Sequence, residues 1–274
     1  MHQHHRNRKG QEKAIARPQG HRPLVVGHRG NSGLAPENTA AAFASALAAG
    51  ADMIETDVRL SADGELFLFH DGTGRRTTNI AEVFPDRADD PITSFTAAQL
   101  RRLDAGSRFG EQFRGEPILF FSELPAAVDF SLGINLEIKA PAESPGVEQA
   151  LAAALAGEAD WKRLAQQQPI AVSSFDPASV RAFHEAAPDV AVFQLADGIP
   201  DQALLAGARW LQGVVANHLS LTAESAAAVR ALDLGLWAYT VNGAEYMERA
   251  LELGLDAVIT DFPGTLVERL SAQP

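Results

Sequence analysis

The order of apolar runs predicts an α/β chain closed into a (β/α)8 TIM barrel, with a small insertion after the second strand excursion. Three observations carry this expectation. Short apolar runs alternate with helical periodicity along the chain, which implies parallel β/α units. Counting the run that ends at His70 with the second excursion leaves eight strand slots. The chain has 274 residues, and a barrel commonly fills about 250 residues as one domain. An open doubly wound sheet would favour a G-x-G-x-x-G turn after its first strand. His28-Arg29-Gly30-Asn31-Ser32-Gly33 does not supply one.

Residues 1–22 read as a disordered basic tail, and 23–274 as the barrel domain, with 72–117 inserted within it. His2, His4 and His5 could chelate a metal, but a solvated tail is the simpler reading of so polar a stretch. No apolar core of a secretory signal follows it. No run of about 18 apolar residues is present to span a bilayer. A soluble, cytoplasmic protein without stable membrane insertion is therefore expected.

Leu24-Val25-Val26-Gly27 is the kind of short apolar run found in a buried parallel strand, and it ends at His28. Pro36-Glu37-Asn38-Thr39 leads into an alanine-rich helix over Ala40 to Ala49, stopped by Gly50. The next strand runs from Met53 to Leu60. Ser61-Ala62-Asp63-Gly64 turns the chain back into an extended run, Glu65 to Phe69, ending at His70-Asp71. From Gly72 to Pro117 charges, glycines and prolines break the rhythm, with one helix expected near Thr96 to Leu103. A connection that long in a compact fold is usually functional.

Regular alternation then resumes. Strands are expected at Ile134–Ile138, Ile170–Ser174, Val190–Gln194, Leu211–Ala216, Leu236–Val241 and Ala257–Thr260. Helices are expected at Glu123–Phe130, Gly146–Leu155, Pro177–Ala186, Asp201–Ala206, Ala223–Leu232, Ala244–Leu253 and Thr265–Leu270.

The formal net charge of −12 argues against broad nucleic-acid binding, and it means that any phosphate site must gather positive charge locally. The absence of cysteine removes disulfide and thiolate chemistry.

Glu55 and Asp57 lie two apart on a strand, so their carboxylates share a face, while Ile54, Thr56 and Val58 take the other. An isolated E-x-D is more often a solvated edge than a site. Ile134-Asn135-Leu136-Glu137-Ile138-Lys139 repeats the pattern, turning Glu137 and Lys139 inward. Burying such a pair unpartnered would cost several kcal/mol per ion, so a partner is implied. Three inward carboxylates make an oxygen-rich site of the kind that Mg2+ or Ca2+ prefers. His28 and His70 end elements next to this cluster and suit acid–base work near neutral pH. Arg29 and Lys139 could hold phosphate oxygens, or simply pair with the acids.

An ordered set of short motifs goes further. It comprises His28-Arg29-Gly30, Pro36-Glu37-Asn38-Thr39, Glu55-x-Asp57, Asp63-Gly64 leading to His70-Asp71, and Arg76-Thr77-Thr78. Leu136-Glu137-Ile138-Lys139, Ser173-Ser174-Phe175, Thr240-Val241-Asn242 and Thr260-Asp261 complete it. In that order, over roughly Leu24 to Leu270, the chain resembles the glycerophosphodiester phosphodiesterase family, in its compact bacterial cytoplasmic form. Leu103-Asp104-Ala105-Gly106-Ser107 also resembles the family's inserted segment.

The resemblance implies a divalent metal on Glu55, Asp57 and Glu137, His28 and His70 as the acid–base pair, Arg29 at the phosphate and Lys139 nearby. Phe175, Trp237 and Tyr239 become possible substrate contacts. The implied reaction is hydrolysis of a small-molecule glycerophosphodiester to glycerol 3-phosphate and an alcohol. Oligomeric state is left open.

Two departures from the family pattern bear on substrate preference. Phe120 and Phe121 stand in a run that often reads Pro-Thr-Leu or Pro-Leu-Leu, where they could alter the rim or pack. Tyr239 replaces a frequent tryptophan and could contact substrate or fill the upper barrel. Two other readings stay open. One is phospholipase D-like hydrolysis of lysophospholipids, kept in view by Phe109, Phe113, Phe120 and Phe121. The other is non-catalytic binding on the same fold.

Overall fold

The computed structural model describes residues 22–272, so the expectations for the basic tail and for His2, His4 and His5 lie outside the described residues. Eight parallel strands close the barrel: β1 (Leu24–His28), β2 (Met53–Leu60), β4 (Gly133–Ile138), β5 (Ile170–Ser174), β6 (Ala191–Ala196), β7 (Gly213–Asn217), β8 (Gly235–Tyr239) and β9 (Ala257–Thr260). Pairing of β1 with both β2 and β9 makes the closure. The short β3 (Leu66–Leu68) turns back antiparallel on β2 and carries the chain up to His70.

Strand parity divides the apolar side chains into two layers. Outward residues such as Val25, Ile54, Leu136, Val172, Val214 and Val258 join the surrounding helices in the larger core. Inward residues, among them Val26, Met53, Phe193, Val215, Trp237 and Ile259, fill the barrel interior, so it is a packed core with a mouth. The helices expected from periodicity are present, including α1 (Ala40–Ala48), whose N-terminus is capped by the Thr39 hydroxyl accepting from the Ala42 N–H.

Several boundaries differ from expectation. Glu123–Phe130 is one continuous helix in the sequence pattern, but here a 3-10 turn (Phe121–Glu123) precedes a single α turn (Leu124–Ala127). Asp129 and Phe130 take positive φ angles of 50° and 53°, which end it. The helix expected over Thr96 to Leu103 shortens to Ala97–Leu100, with Thr96 as its cap. A helix at Ala159–Gln167, unforeseen, buries Trp161 and Leu164. Trp161 stacks on Phe121 at 4.2 Å between ring centroids and donates its indole N–H to the Phe121 carbonyl.

Residues 72–117 form short turns around a small apolar core of their own, including Ile80, Ile92, Phe95, Leu100 and Leu103, continuous with Phe67, Phe69 and Phe120 below. Both Phe120 and Phe121 are buried, which places them in packing and not at an open rim. The inserted segment is also tied to α1, because Glu116 accepts from the Ala41 N–H at 3.0 Å. No helix among the described residues is long and apolar enough to cross a membrane.

Candidate active site

Register brings the charged residues together. His28 lies opposite Glu55 across the β1–β2 pair, and Asp57 lies opposite Glu137 across β2–β4. All point inward at or above the level where β1 ends at His28, the end that becomes the working face of a barrel.

Glu55, Asp57 and Glu137 are buried, and one ligand oxygen from each lies within 4.8 Å of the others. Glu55 Oε1 and Asp57 Oδ1 have no hydrogen-bond partner. Burial, then the charges of Asp57 and Glu137, holds Glu55 well above the ordinary carboxyl range. Burial and Asp57 likewise push Glu137 up to about 7. Burial would raise Asp57 too, but Arg29, His70 and Lys139 outweigh it and keep this carboxyl below its usual value. Three hard oxygen donors, with two orphaned oxygens and mutual repulsion, fit a divalent cation.

Two cations stand at the cluster's edge. Arg29 donates from its backbone N–H to Glu55 Oε2 at 3.0 Å and from Nη1 to Glu37 Oε1 at 2.9 Å, and its Nε lies 3.4 Å from Asp57 Oδ2. Lys139 Nζ donates to Glu137 Oε1 at 2.9 Å and lies 3.8 Å from Asp57 Oδ1. The alternatives of phosphate contact and acid pairing are thus compatible, since each cation leans on the acids at the mouth. Asn38 supports this floor by donating to Asp57 Oδ2 at 2.9 Å while accepting from the Thr56 hydroxyl at 2.7 Å.

The turns that place these groups are strained. Arg29, Asn38 and Ala140 have positive φ angles of 53°, 58° and 41°, in a region that costs non-glycine residues of order 1–3 kcal/mol and clusters at functional sites. Gly30 follows at φ 89°, and a Cβ there would meet the Ala42 backbone at 2.7 Å. Only glycine lets the loop after β1 pass that close to α1.

Each histidine has a carboxylate partner. His28 Nδ1–H donates to Asp261 Oδ1 at 2.6 Å, and His70 Nδ1–H donates to Asp71 Oδ1 at 2.8 Å. Burial acts against ionisation of both aspartates. Yet bonds from Arg76 and His70 pull Asp71 down to about 2, and His28, Asn242 and Ser32 pull Asp261 down to about 2. An ionised carboxylate only accepts, so each ring carries its proton on Nδ1 and leaves Nε2 for chemistry. His28 Nε2 lies 3.9 Å from Glu55 Oε2, facing the acidic cluster. Burial, with Arg29 and Lys139, lowers the His70 pKa although Asp57 and Asp71 act to raise it.

The aromatic candidates separate. Phe175 is 42% exposed, meets Tyr239 edge-on at 5.8 Å and has Lys139 Nζ 5.7 Å from its ring centroid. Tyr239 donates its hydroxyl to the Ala196 carbonyl and Asp197 Oδ1, both at 3.2 Å. Trp237 does not join them. It is 0% exposed and packs 4.5 Å from Phe193 in the barrel interior, beneath the surface that Phe175 and Tyr239 offer, with its indole N–H left without a hydrogen-bond partner. It lies two positions before Tyr239 on the strand, and that rise of about 7 Å puts it one layer below the mouth.

Sequence reasoning assigned no role to Asp71, Asp261, Glu37, Arg76 or Asn38, although all lie in motifs it singled out. The adjacent His70-Asp71 pair was a usable signal; the partnership of His28 with Asp261, 233 residues apart, had none beyond barrel closure.

Comparison with known proteins agrees with the geometry. A model of the glycerophosphoryl diester phosphodiesterase family matches residues 28–265. The glycerophosphodiester phosphodiesterase of Caldanaerobacter subterraneus subsp. tengcongensis is 34% identical over 247 residues, covering 89% of this chain and 96% of that protein. The enzyme of the same name from Bacillus subtilis is 30% identical over 255 residues, covering 88% of this chain and 84% of that one. Among solved structures, an Oleispira antarctica phosphodiesterase in complex with the product sn-glycerol-3-phosphate superposes with a TM-score of 0.79 at 29% identity, covering 91% of this chain and 97% of that one. The chain belongs to the glycerophosphoryl diester phosphodiesterase family.

Proposed function

We propose that this protein hydrolyses glycerophosphodiesters to glycerol 3-phosphate and an alcohol, with a divalent cation, Mg2+ or Ca2+, held by Glu55, Asp57 and Glu137. One observation carries the reading: two Asp-backed imidazoles flank a buried three-carboxylate cluster with orphaned oxygens.

Arg29 and Lys139 would draw the phosphodiester onto the cluster by offsetting its charge, which matters in a chain of net charge −12. The cation, when bound, would supply Lewis-acid neutralisation of the phosphoryl oxygens. One imidazole removes, through its free Nε2, the proton of the attacking hydroxyl as the new P–O bond forms; that hydroxyl belongs to water or to the glycerol 2-position, and in the second case water then opens the cyclic phosphate by the same pair of proton transfers. The other, protonated on Nε2, gives its proton to the departing alkoxide as the old P–O bond breaks. Asp71 and Asp261 stabilise whichever ring becomes imidazolium and keep both rings turned to the site.

A second reading concerns the alcohol. A cavity of about 860 Å³, mainly apolar, begins at Phe175 and continues past Leu195, Leu204, Trp210 and Leu211. It favours an apolar substituent on the diester, as in a lysophospholipid. Both readings are tested by one panel: glycerophosphocholine, glycerophosphoethanolamine, glycerophosphoinositol and lysophosphatidylcholine. Each is assayed after chelation, with Mg2+ or Ca2+ restored and products identified. Release of glycerol 3-phosphate from the small diesters supports the first reading. Metal-restored enzyme that turns over none of the four leaves a binding protein on this fold.

A further inference from the structure

The inserted segment does more at the mouth than cover β3. Arg76 lies within it, five residues past Asp71, and makes four short bonds to two carboxylates. Its Nε and Nη2 donate to Asp71 Oδ2 and Oδ1 at 2.6 and 2.9 Å. Its Nη1 and Nη2 donate to Glu37 Oε2 and Oε1 at 2.6 and 2.7 Å. Asp71 Oδ1 is the same atom that accepts from His70 Nδ1, and Glu37 Oε1 is the same atom that accepts from Arg29. One guanidinium therefore closes a chain of bonds running Arg29, Glu37, Arg76, Asp71, His70.

We infer that Arg76 is a positioning residue for His70: it fixes the Asp71 carboxylate in plane with the imidazole, using Glu37 on the loop before α1 as its anchor. The inference rests on His70 acting in the reaction proposed above. Asp71 alone is a poor brace. It follows His70 directly on a loop, is partly exposed, and without a second contact could rotate to solvent. A planar guanidinium holding two carboxylates bidentately removes that freedom in a way that a single ammonium cannot. Exposed ion pairs taken singly contribute little, but networks with bidentate geometry are the exception.

The segment supplies its own control. Neighbouring Arg75 is exposed and pairs with Asp89 within the insertion, away from the carboxylates of the mouth. Loss of Arg75 tests the local stability of the segment without touching the chain of bonds to His70.

The test compares Arg76→Ala, Arg76→Lys and Arg75→Gln with the wild type on glycerophosphocholine with metal restored. Removing a group that orients another typically costs about 10- to 100-fold. That loss is expected in kcat for Arg76→Ala, with Arg76→Lys intermediate and Arg75→Gln close to wild type. Added guanidinium should restore part of kcat to Arg76→Ala and none to Arg75→Gln. Nitrogen-15 NMR of the imidazoles reads position without turnover: the His70 Nδ1–H tautomer should dominate in the wild type and lose its preference in Arg76→Ala. The inference is overturned if Arg76→Ala keeps wild-type kcat, or if its His70 tautomer is unchanged. It is equally overturned if Arg75→Gln loses as much kcat as Arg76→Ala. Failure of the wild type to hydrolyse any glycerophosphodiester would instead remove the proposed function, and the NMR comparison alone would then decide the role of Arg76.

Discussion

The mouth of the barrel has two unlike sides. Strands β1, β2, β4 and β9, with the end of β3, bring His28, Glu55, Asp57, His70, Glu137, Lys139 and Asp261 together, many of them buried and charged. Strands β5 to β8 contribute Phe175 and Tyr239 at the top and Phe193, Leu195, Val215 and Trp237 beneath. The charged side leaves carboxylate oxygens orphaned among strained turns, whereas the other side is mostly apolar and packed, although the Ser173 hydroxyl and the Trp237 indole N–H also lack partners there. Buried like charges held against stability mark the first side as the place for the proposed chemistry, which leaves the exposed rings of the second to sort substituents.

The comparison is broken most directly at the carboxylates. Asp57→Asn, or exhaustive chelation of the wild type, is expected to cost about 10³-fold in kcat, on the scale of several kcal/mol for metal stabilisation of developing charge. Full activity after chelation would remove the metal from the proposal. Next come His28→Ala and His70→Ala, each expected to lower kcat by about 10²-fold or more. A near wild-type kcat in either variant takes that histidine out of the reaction.

The charged side should also reveal itself in stability. Glu137 sits at about 7 in the fold, above its ordinary value near 4.5, and Glu55 is raised in the same direction. A carboxyl raised on folding contributes stability that is present below the unfolded pKa and lost as pH rises through the folded one. Without metal, Tm is therefore expected to fall between about pH 4.5 and 7.5, and added Mg2+ or Ca2+ should restore it more at pH 7.5 than at pH 5. Calorimetry across this range with and without cation checks it; a metal-induced shift that is larger at pH 5 would contradict the burial argument. At lower pH the sign reverses for Asp71 and Asp261, which are held down to about 2, so their contribution fades as pH drops below about 4.

The smallest effects belong to the apolar side. Phe175→Ala and Tyr239→Phe are expected to leave metal response intact and to shift the ratio of kcat/KM between polar and apolar head groups. The scale is about 10-fold, one to two kcal/mol of contact. Equal losses on every substrate would assign these rings to packing.

Much of the site was legible because strand parity acts at short range. Glu55 with Asp57, and Glu137 with Lys139, declare their common face within a single strand, and the structure puts those faces inward. Helices with a clear periodic face were also legible. Ala159–Gln167 escaped because only Trp161 and Leu164 mark its buried side. Glu123–Phe130 was overextended because two residues there adopt left-handed backbone that composition does not announce. Trp237 shares inward parity with Tyr239, and parity cannot tell an upper barrel layer from a lower one.

The sequence by itself determined the alternation of strands and helices, the inward direction of the acids, and the ordered motifs that mark the family. These follow from local periodicity and from residue chemistry, which neighbours in the chain decide. Only the closed tertiary structure decided that Asp261 backs His28 and that Arg76 reaches both Asp71 and Glu37. It also settled which aromatic rings stand at the mouth. His28 meets Asp261 across 233 residues because β1 pairs with both β2 and β9, and Arg76, close to Asp71 in sequence, meets Glu37 across 39; no local pattern encodes either.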